Sequence, residues 1–569
     1  MSRTRRWRFA APTAGVTERL QADVGVSPLL ARLLANRHVE EPAQAAAFLD
    51  ARLAEHLRSP MLFRDMGRAA ERVARAVAAG EGIAIYGDYD VDGVSGSAVL
   101  VRFLRALGAE PLLHIPHRLR EGYGLNSGGV QQLAAAGARV MVTVDCGAAS
   151  HREIGLARDL GLDVIVCDHH QVSGTPLPAY AVINPIEPDA GFPFAGLCAA
   201  GVAFYLAMGV RMRLRETGGP LPDLRRYLDL VALGTVADLV PVREENRVLV
   251  KYGLRELAAS QQPGIVALKR VSGVGQMSTG VVGFRLAPRL NAGGRLDDAT
   301  RSVTLLTTDD TAVAERLAAA LDEENRARQA IEREMLDEAI ALVDAAGDAA
   351  PRRSIVLASP RFHPGVVGIV ASRLVERYYR PTVLIAAEEG GVGRGSGRSI
   401  AGLNLYEALA SCRDCLERFG GHRMAAGLSI RLDRVEELAA RLEAAVGSRT
   451  QAEDFVPQTT IDAELGLRAV DAGCFADLER LEPYGMGNPE PIFLARGVRV
   501  RDRRIVGETH LKLVLEQEGR TLPAIGFGMG DEAVTAGDSL DLLFSPMQNE
   551  WDGNTYTELR IRDLRNHAP

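Results

Sequence analysis

Residues 82–97 read "GIAIYGDYDVDGVSGS". An apolar run fit for a buried strand is followed at once by three aspartates at alternate positions, Asp88, Asp90 and Asp92, and then by small residues. Carboxylates this close repel one another, so the arrangement costs stability unless a cation lies among them. A strand that presents acidic groups at its carboxyl end, with a helix opening behind it, belongs to a parallel α/β sheet, which binds ligands along that edge.

The chain outside this stretch repeats the pattern. Further apolar runs, "PLLHI", "VMVTV", "DVIVC" and "YAVIN", alternate with helical segments such as "SGSAVLVRFLRALG" and "GGVQQLAAAGA". That alternation predicts a parallel, doubly wound sheet. Several of its strand ends carry chemistry: Asp145 in "VTVDCG", then Asp168, His169 and His170 in "VCDHH". A later segment, "ALGTVADLVP", adds Asp238. Any one aspartate after a strand is commonly a turn former or a helix N-cap. Four such segments facing one crevice ask for a different reason. Many carboxylates with one or two imidazoles suit Mn²⁺ or Mg²⁺ better than structural zinc. Two such ions, about 3.5–4 Å apart, clamp the attacking and leaving oxygens of a displacement at phosphorus.

At 569 residues the chain is too long for one core. Residues 1–75 read as a helical segment with arginine-rich outer faces, and 76–300 as the domain that carries the acidic motifs. A strongly helical stretch follows, so 301–350 is expected to connect two domains, with a helical hairpin as the alternative. A second α/β domain is expected over 351–450, from "RRSIVLAS" through "PTVLIAAEE". Over 451–569 short alternating strands predict a small antiparallel barrel of the oligonucleotide-binding type.

Composition is that of a soluble globular protein, 47% hydrophobic and 24% charged, with no apolar run long enough to span a bilayer. The start, "MSRTRRWRFA", lacks an apolar signal core, and six scattered cysteines make no disulfide framework; a reducing cytoplasm is expected. A net charge of −7 excludes a uniformly basic coat but leaves room for a local basic groove. Cys412 and Cys415 form a C-x-x-C within a helical stretch and without a second pair, which disfavours zinc. The glycine-rich "GYGL" and "GMGNP" lack the lysine of a P-loop.

In this order, "GDYDVDG" (87–93), "VDCG" (144–147), "DHH" (168–170) and "GTVADLVP" (234–241) resemble motifs I to IV of the DHH phosphoesterase superfamily. "GGHRMAAG" (420–427) resembles the signature of its DHHA1 domain. "HRLREGYGLN", "APRLNAGGR", "HPGVVGIVASRL" and "GSGRSI" are similar to segments of the RecJ family of 5′→3′ single-strand DNA exonucleases, and the likeness runs from about residue 40 to 569. The resemblance implies a DHH domain, a long connecting helix, a DHHA1 domain and an OB-type barrel. It implies that Asp88, Asp90, Asp92, Asp145, His169 and Asp238 hold two Mn²⁺ or Mg²⁺ ions, with Asp145 as the bridge. His170 would face the phosphate, and Asp168 would orient an imidazole. Tyr86 stands where superfamily relatives carry a histidine.

For substrate, the resemblance implies Arg118 and Tyr123 at the 5′ phosphate and first base, joined by Ser396 and Arg398. Arg289, Asn291 and Arg295 would steady the scissile backbone, and Gly421 and His422 would admit a phosphate. A guanidinium grips phosphate bidentately, and an aromatic face stacks on any base without reading sequence. His363 is as well explained by packing at a helix start as by substrate. The expected activity is release of 5′-mononucleotides from single-stranded DNA in repair and recombination. The expected protein is a monomer working with a single-strand-binding protein and a helicase, and no membrane. Two alternatives compete: a phosphodiesterase of short oligoribonucleotides or cyclic dinucleotides, which needs no long helix or barrel, and a non-catalytic strand binder, which would have lost ligands.

Overall fold

The computed structural model describes all residues other than 1–4, 119, 123, 173, 297, 346–351, 552–553 and 568–569. The five apolar runs form strands β1 (Gly82–Gly87), β2 (Leu112–His114), β3 (Ala138–Val144), β4 (Asp163–Cys167) and β5 (Ala181–Ile183). They are all parallel, in the spatial order 2-1-3-4-5. That order reverses direction between β1 and β3, the place where such sheets hold ligands. Both faces are covered, so alternate residues of one strand feed two cores. Val140, Val142 and Val144 of β3 pack into one layer, and Met141 into the other. The first layer is closed by helices α1 (Val91–Ala106), α2 (Ala199–Thr217) and α3 (Leu228–Ala237).

Beyond them, α4 (Glu244–Ala259) and α5 (Ala287–Leu296) lead to α6 (Thr311–Ala345), one continuous helix of 35 residues. At 1.5 Å per residue it spans about 50 Å, and the hairpin alternative falls away. Its first half packs Ala314, Ala318 and Leu321 into the core of the first sheet. Its second half packs Met335 and Ala339 against the second α/β unit. One helix thus bridges two cores.

The second unit is a mixed sheet of β6 (Ile355–Ser359), β7 (Thr382–Ala387), β8 (Val392–Arg398), β9 (Arg418–Gly421) and β10 (Ala425–Arg431), in the order 9-10-8-7-6, backed by helix α7 (Val367–Tyr378). The barrel consists of β11 (Phe493–Val506), β12 (His510–Gln517), β13 (Arg520–Gly526), β14 (Ser539–Trp551) and β15 (Asn554–Asn566). Pairing of β11 with β14 closes it. No helix among the described residues is long and apolar enough to cross a membrane.

The N-terminal segment, read from the sequence as helical, divides between two cores and opens with a strand. A strand at Arg6–Phe9 pairs in parallel with Gln458–Ile461, and Leu20, Leu30, Leu33 and Leu34 share one core with Phe493, Leu513 and Phe544 of the barrel. From Phe63 onward the chain packs on the first sheet instead. Each amphipathic helix shows that it needs a cover, but its own sequence does not say which surface supplies it.

Candidate metal centre and substrate channel

The ladder of the first sheet continues one residue past its strands. The amides of Asp88, Asp145 and Asp168 bond the carbonyls of Val144, Cys167 and Ile183 at 3.1, 3.0 and 3.2 Å. Three acidic residues therefore stand in a row along the carboxyl edge, about 4.8 Å apart. Asp145 turns there with φ +65°, a left-handed backbone that is uncommon outside glycine and gathers at functional sites.

Helix α1 delivers the next two. Asp90 caps its N-terminus, with Oδ1 accepting from the amides of Asp92 and Gly93 at 2.9 and 3.2 Å. Asp92 is buried and accepts from the amides of Ala199 and Ala200, at 2.6 and 2.9 Å, in the first turn of α2. The approach is close. A Cβ on Gly93 would lie 2.6 Å from the Asp88 carbonyl oxygen, and one on Gly234 of α3 would lie 2.7 Å from Asp92 Oδ1. The small residues after the aspartates are what this crossing of helix starts and strand ends requires.

His169 sits at the middle. Its Nε2 lies 3.2 Å from Asp145 Oδ1, 3.6 Å from Asp238 Oδ2 and 3.7 Å from Asp92 Oδ2. Asp168 is occupied otherwise: Oδ1 accepts from the amides of His169 and His170 and from Nδ1 of His170, and Oδ2 from the amide of Ala148, all within 3.1 Å. It therefore orients His170 and has little left to offer an ion. Three overlapping groups have ligand atoms within 4.8 Å of one another: Asp88, Asp90 and Asp145; Asp145, His169 and His170; Asp92, His169 and Asp238.

These groups fit a divalent cation. Ligands at about 2.0–2.2 Å in octahedral geometry lie roughly 3 Å from their neighbours, close to the spacing around His169. Asp88 Oδ1 and His169 Nε2 are buried without a hydrogen-bond partner among the described residues. The electrostatics agree. Burial, then the neighbouring carboxylates, pushes Asp88 and Asp145 well above the usual carboxylate range. Asp238 is pushed up to about 9 by burial and by Asp92 and Asp90. Burial lowers His169, which keeps its imidazole neutral and able to ligate, although Asp92 opposes the shift. His170 is the opposite case: burial works against its charge, but the Asp168 hydrogen bond prevails and raises it to about 9. In the metal-free fold that bond favours the charged imidazolium.

Three cavities join at this edge. The one at the acidic row, about 320 Å³, is walled by Asp88, Tyr89, Asp90, Arg118, Asn291 and Arg295. Arg118 lies over the Tyr89 ring at 5.0 Å and also walls a cavity of about 400 Å³ with Ser396 and Gly420. There Arg398 donates to Ser396 Oγ at 2.9 Å. Asn291 and Arg295 also wall a third cavity of about 760 Å³, bounded by α3, α6 and α7. Arg295 reaches the second α/β unit by donating to the Gly365 carbonyl at 3.1 Å. Burial, then the Arg118 charge, depresses both Arg295 and Arg398; guanidinium groups crowded in this way are relieved by an anion such as phosphate.

The structure thus brings Asp88, Asp90, Asp92, Asp145, His169, His170 and Asp238 together, with Arg118, Asn291, Arg295, Ser396 and Arg398 beside them. It places two expected groups elsewhere. Arg289 turns away to Asp322 at 2.8 Å and the Arg285 carbonyl at 2.6 Å, outside the walls of these cavities. His422 is exposed at the tip of the β9–β10 hairpin, its amide bonding the Ala425 carbonyl at 2.7 Å. Gly421 has φ +142°, and a Cβ there would lie 2.4 Å from the Ala425 oxygen, so the turn itself requires glycine. Tyr123 lies outside the described residues. Tyr86 faces the opposite layer, where its hydroxyl accepts from Asn126 at 2.9 Å. His363 Nδ1 accepts from the Gly365 amide at 3.1 Å, a turn preceding α7. Cys412 and Cys415 are free and buried in the second core. The sequence reading passed over Tyr89, although it lies inside the acidic motif, and it gave no signal for the apolar residues Leu239, Phe284 and Met486 that wall the cavity of about 760 Å³.

Comparison with known proteins bears on all of this. Residues 82–235 match the DHH family N-terminal domain, 353–448 the DHHA1 domain and 461–563 the RecJ OB domain. The single-stranded-DNA-specific exonuclease RecJ of Bacillus subtilis is 38% identical over 98% of this chain and 70% of its own. This chain belongs to the RecJ family. The Escherichia coli RecJ exonuclease is 35% identical, over 96% of this chain and 98% of its own. Among solved structures, RecJ of Thermus thermophilus in complex with Mn²⁺ superposes with a TM-score of 0.84 at 34% identity, over 99% of this chain and 80% of the other. The same RecJ with Mg²⁺ gives 0.79 at 31% identity, over 99% and 79%.

Proposed function

We propose that this chain is a metal-dependent exonuclease that removes 5′-mononucleotides from single-stranded DNA. The observation that carries the proposal is the convergence of five aspartates and two histidines on one sheet edge that opens into an arginine-lined channel. Membership of the RecJ family supports it, as does the likeness to RecJ structures that hold Mn²⁺ or Mg²⁺. The oligoribonucleotide and cyclic-dinucleotide alternative is not favoured by a chain carrying the connecting helix and the barrel throughout.

In the reading we favour, Asp92, His169 and Asp238 would hold one ion and Asp88 and Asp90 a second, with Asp145 contributing to both. Bound divalent cations supply charge for the phosphoryl oxygens and lower the pKa of a water. The chain's own groups do the rest. Asn291 accepts from the Val91 amide at 3.2 Å and fixes α5 against the start of α1, which keeps Arg295 beside the acidic row. His170, charged and held by Asp168, donates to a phosphate oxygen as negative charge builds there. Arg118, Ser396 and Arg398 anchor the terminal 5′ phosphate, which sets polarity. We assign catalysis to 76–300, the 5′ anchor to Arg118 of that domain together with 351–450, and strand binding to 451–569. A monomer in the cytoplasm, fed by a helicase and a single-strand-binding protein, belongs to the same reading.

The test is direct. With Mn²⁺ and a 5′-phosphorylated single strand, the wild-type protein should release mononucleotides from the 5′ end. Asp145→Ala should be slower by a thousandfold or more, since ion-borne charge is worth several kcal/mol, about a factor of ten per 1.4 kcal/mol. An Asp145→Ala protein that still degrades the strand would end the proposal.

A further inference from the structure

Successive side chains of a strand point to opposite faces of its sheet, so the pairing of β8, β9 and β10 fixes which residues stand together. Arg394, Ser429 and Arg418 lie abreast in one row, and Ser396, Gly427 and Gly420 in another row on the same face. Between the rows fall Gly395, Leu428 and Phe419, which point the other way, where Leu428 and Phe419 join the second core. The glycines of the two faces differ. A Cβ on Gly395 would lie 2.7 Å from Leu428 Cδ1, so packing demands glycine there, whereas a Cβ on Gly420 or Gly427 would meet nothing within 4 Å. The first face is thus a bare backbone floor with two arginines beyond it, and it forms one side of the cavity of about 400 Å³ that Arg118 also walls. Cavities of about 300–1,000 Å³ hold whole drug-sized ligands, far more than one phosphate. Positive charge is in surplus as well. Arg118 and Arg418 form no ion pair among the described residues. Arg394 has Glu388 at 3.1 Å, but in an exposed pair of the weak kind that a more highly charged anion displaces.

The cavity also has a direction. Arg398 stands beside Gly368 of α7, where a Cβ would lie 2.8 Å from its Nη2, and Arg295 holds the carbonyl of Gly365 three residues earlier. That end of β8 therefore faces the metal centre. Ser396 comes next, and the row of Arg394, Ser429 and Arg418 lies two residues, or about 7 Å, further out. We infer that this cavity receives a 5′-triphosphate end, with the first phosphate at Arg118, Ser396 and Arg398. The two added phosphates lie over the glycine floor and reach Ser429 between Arg394 and Arg418. This rests on the exonuclease reading above and adds a second kind of strand end to its substrates. A monophosphate cannot cover the 7 Å step, whereas two further phosphates can. A nucleobase is a poorer occupant, because Phe419 turns into the core and leaves the floor no ring to stack on, while guanidinium groups match phosphate oxygens. In the reaction, water attacks the phosphorus of the second nucleotide and its oxygen stays on that phosphate. The 3′ oxygen of the first nucleotide leaves and takes a proton. The first product is then a nucleoside 5′-triphosphate, and the shortened strand carries an ordinary 5′ monophosphate. The class of reaction that supplies such an end is initiation of a strand from a nucleoside triphosphate.

The experiment gives the full-length protein, with excess Mn²⁺, single strands of one sequence that begin with a 5′ monophosphate or a 5′ triphosphate. Initial rates give kcat and KM, and mass spectrometry identifies the first product. The wild-type protein should take the triphosphate strand with a KM at or below that of the monophosphate strand, and should release a nucleoside triphosphate first. Arg418→Ala should raise the KM for the triphosphate strand about tenfold, the scale of one charge-assisted contact, and leave kcat and the monophosphate strand unchanged. Ser429→Asp, which sets a negative charge between the two arginines, should do the same, and Arg418→Lys should recover most of the affinity. Arg418 is exposed and Ser429 half-buried, so both variants should melt with the wild type. A triphosphate strand with a KM tenfold above that of the monophosphate strand overturns the inference, as does release of pyrophosphate and a nucleoside monophosphate in place of the triphosphate. So does an Arg418→Ala protein whose KM changes equally for both strands, or for neither. A wild-type protein that degrades neither strand removes the exonuclease reading itself. Normal degradation of the monophosphate strand with the triphosphate strand refused removes only the inference drawn from this cavity.

Discussion

Burial makes the aspartates of this centre depend on a cation, and the dependence has a sign. Asp238, pushed up to about 9, holds a proton in the metal-free fold that the unfolded chain has released above pH 3.8. Between those values the folded state binds more protons, so the metal-free protein loses stability as pH rises. Mn²⁺ must displace those protons and is opposed by them in acid. The expected outcome is that saturating Mn²⁺ raises the melting temperature by several degrees near pH 8 and by clearly less near pH 6, with proton release on binding seen calorimetrically. An equal shift at both values would remove this account. Asp88, Asp145 and Asp168 were legible because each follows a strand, and a strand end places its next residue at the sheet edge whatever the surroundings. Arg289 and His422 were not, because an ion pair with Asp322 and a hairpin turn decide where they go. A motif names the residue but not its competing partner.

Among the elements, the loop between α3 and α4 carries Asp238 and is braced from outside itself. Its anchor is Asn246, buried in the first turn of α4, whose Nδ2 donates to the carbonyls of Gly196 at 2.6 Å and Pro241 at 3.0 Å. Arg243 and Val242 bond the carbonyls of Gly487 and Met486, so the segment before the barrel braces the same loop. Asn246→Ala leaves two carbonyls without that donor, a cost of about 1–3 kcal/mol. The more telling effect is on the ion: supports of this kind typically change metal affinity by about 10–100-fold. Titrating activity against Mn²⁺ should show the half-saturation point moving up by that factor while the rate at saturation recovers substantially. An unchanged half-saturation point would reduce Asn246 to a packing residue. The strands here could be read from period and length, since runs such as "VMVTV" are apolar on both faces and too short for a helix. The π-helical turn at Val282–Leu286 could not, because local sequence reads simply as helix until the packing around it is known.

For the molecule as a whole, the question is what keeps the barrel and N-terminal helices in register with the catalytic sheet, since the pre-barrel residues Tyr484–Met486 wall one of the three cavities. The sequence divided the chain into consecutive pieces, whereas the fold joins its first fifty residues to its last hundred through one core. Such a pairing is invisible locally because apolar faces are interchangeable until the fold has chosen. Arg247 of α4 holds this join. It is buried at 2% exposure, stacks on Phe48 at 3.8 Å, and donates to the carbonyls of Phe48, Leu481, Arg480 and Glu482 within 3.1 Å. A single guanidinium thus ties the N-terminal helices and the pre-barrel segment to the catalytic domain. Arg247→Met keeps the bulk but withdraws every donor, leaving the carbonyls unpaired at about 1–3 kcal/mol or more in sum. The expected outcome in a denaturant titration is a split transition: barrel signals should lead, and those of the catalytic sheet should follow near their original midpoint. On DNA, the same variant should lose more activity on long strands, which need the whole channel, than on a 5′-phosphorylated dinucleotide, which needs the metal centre and 5′ anchor alone. If both substrates suffer equally and unfolding stays a single step, Arg247 supports the catalytic domain from within and the join lies elsewhere.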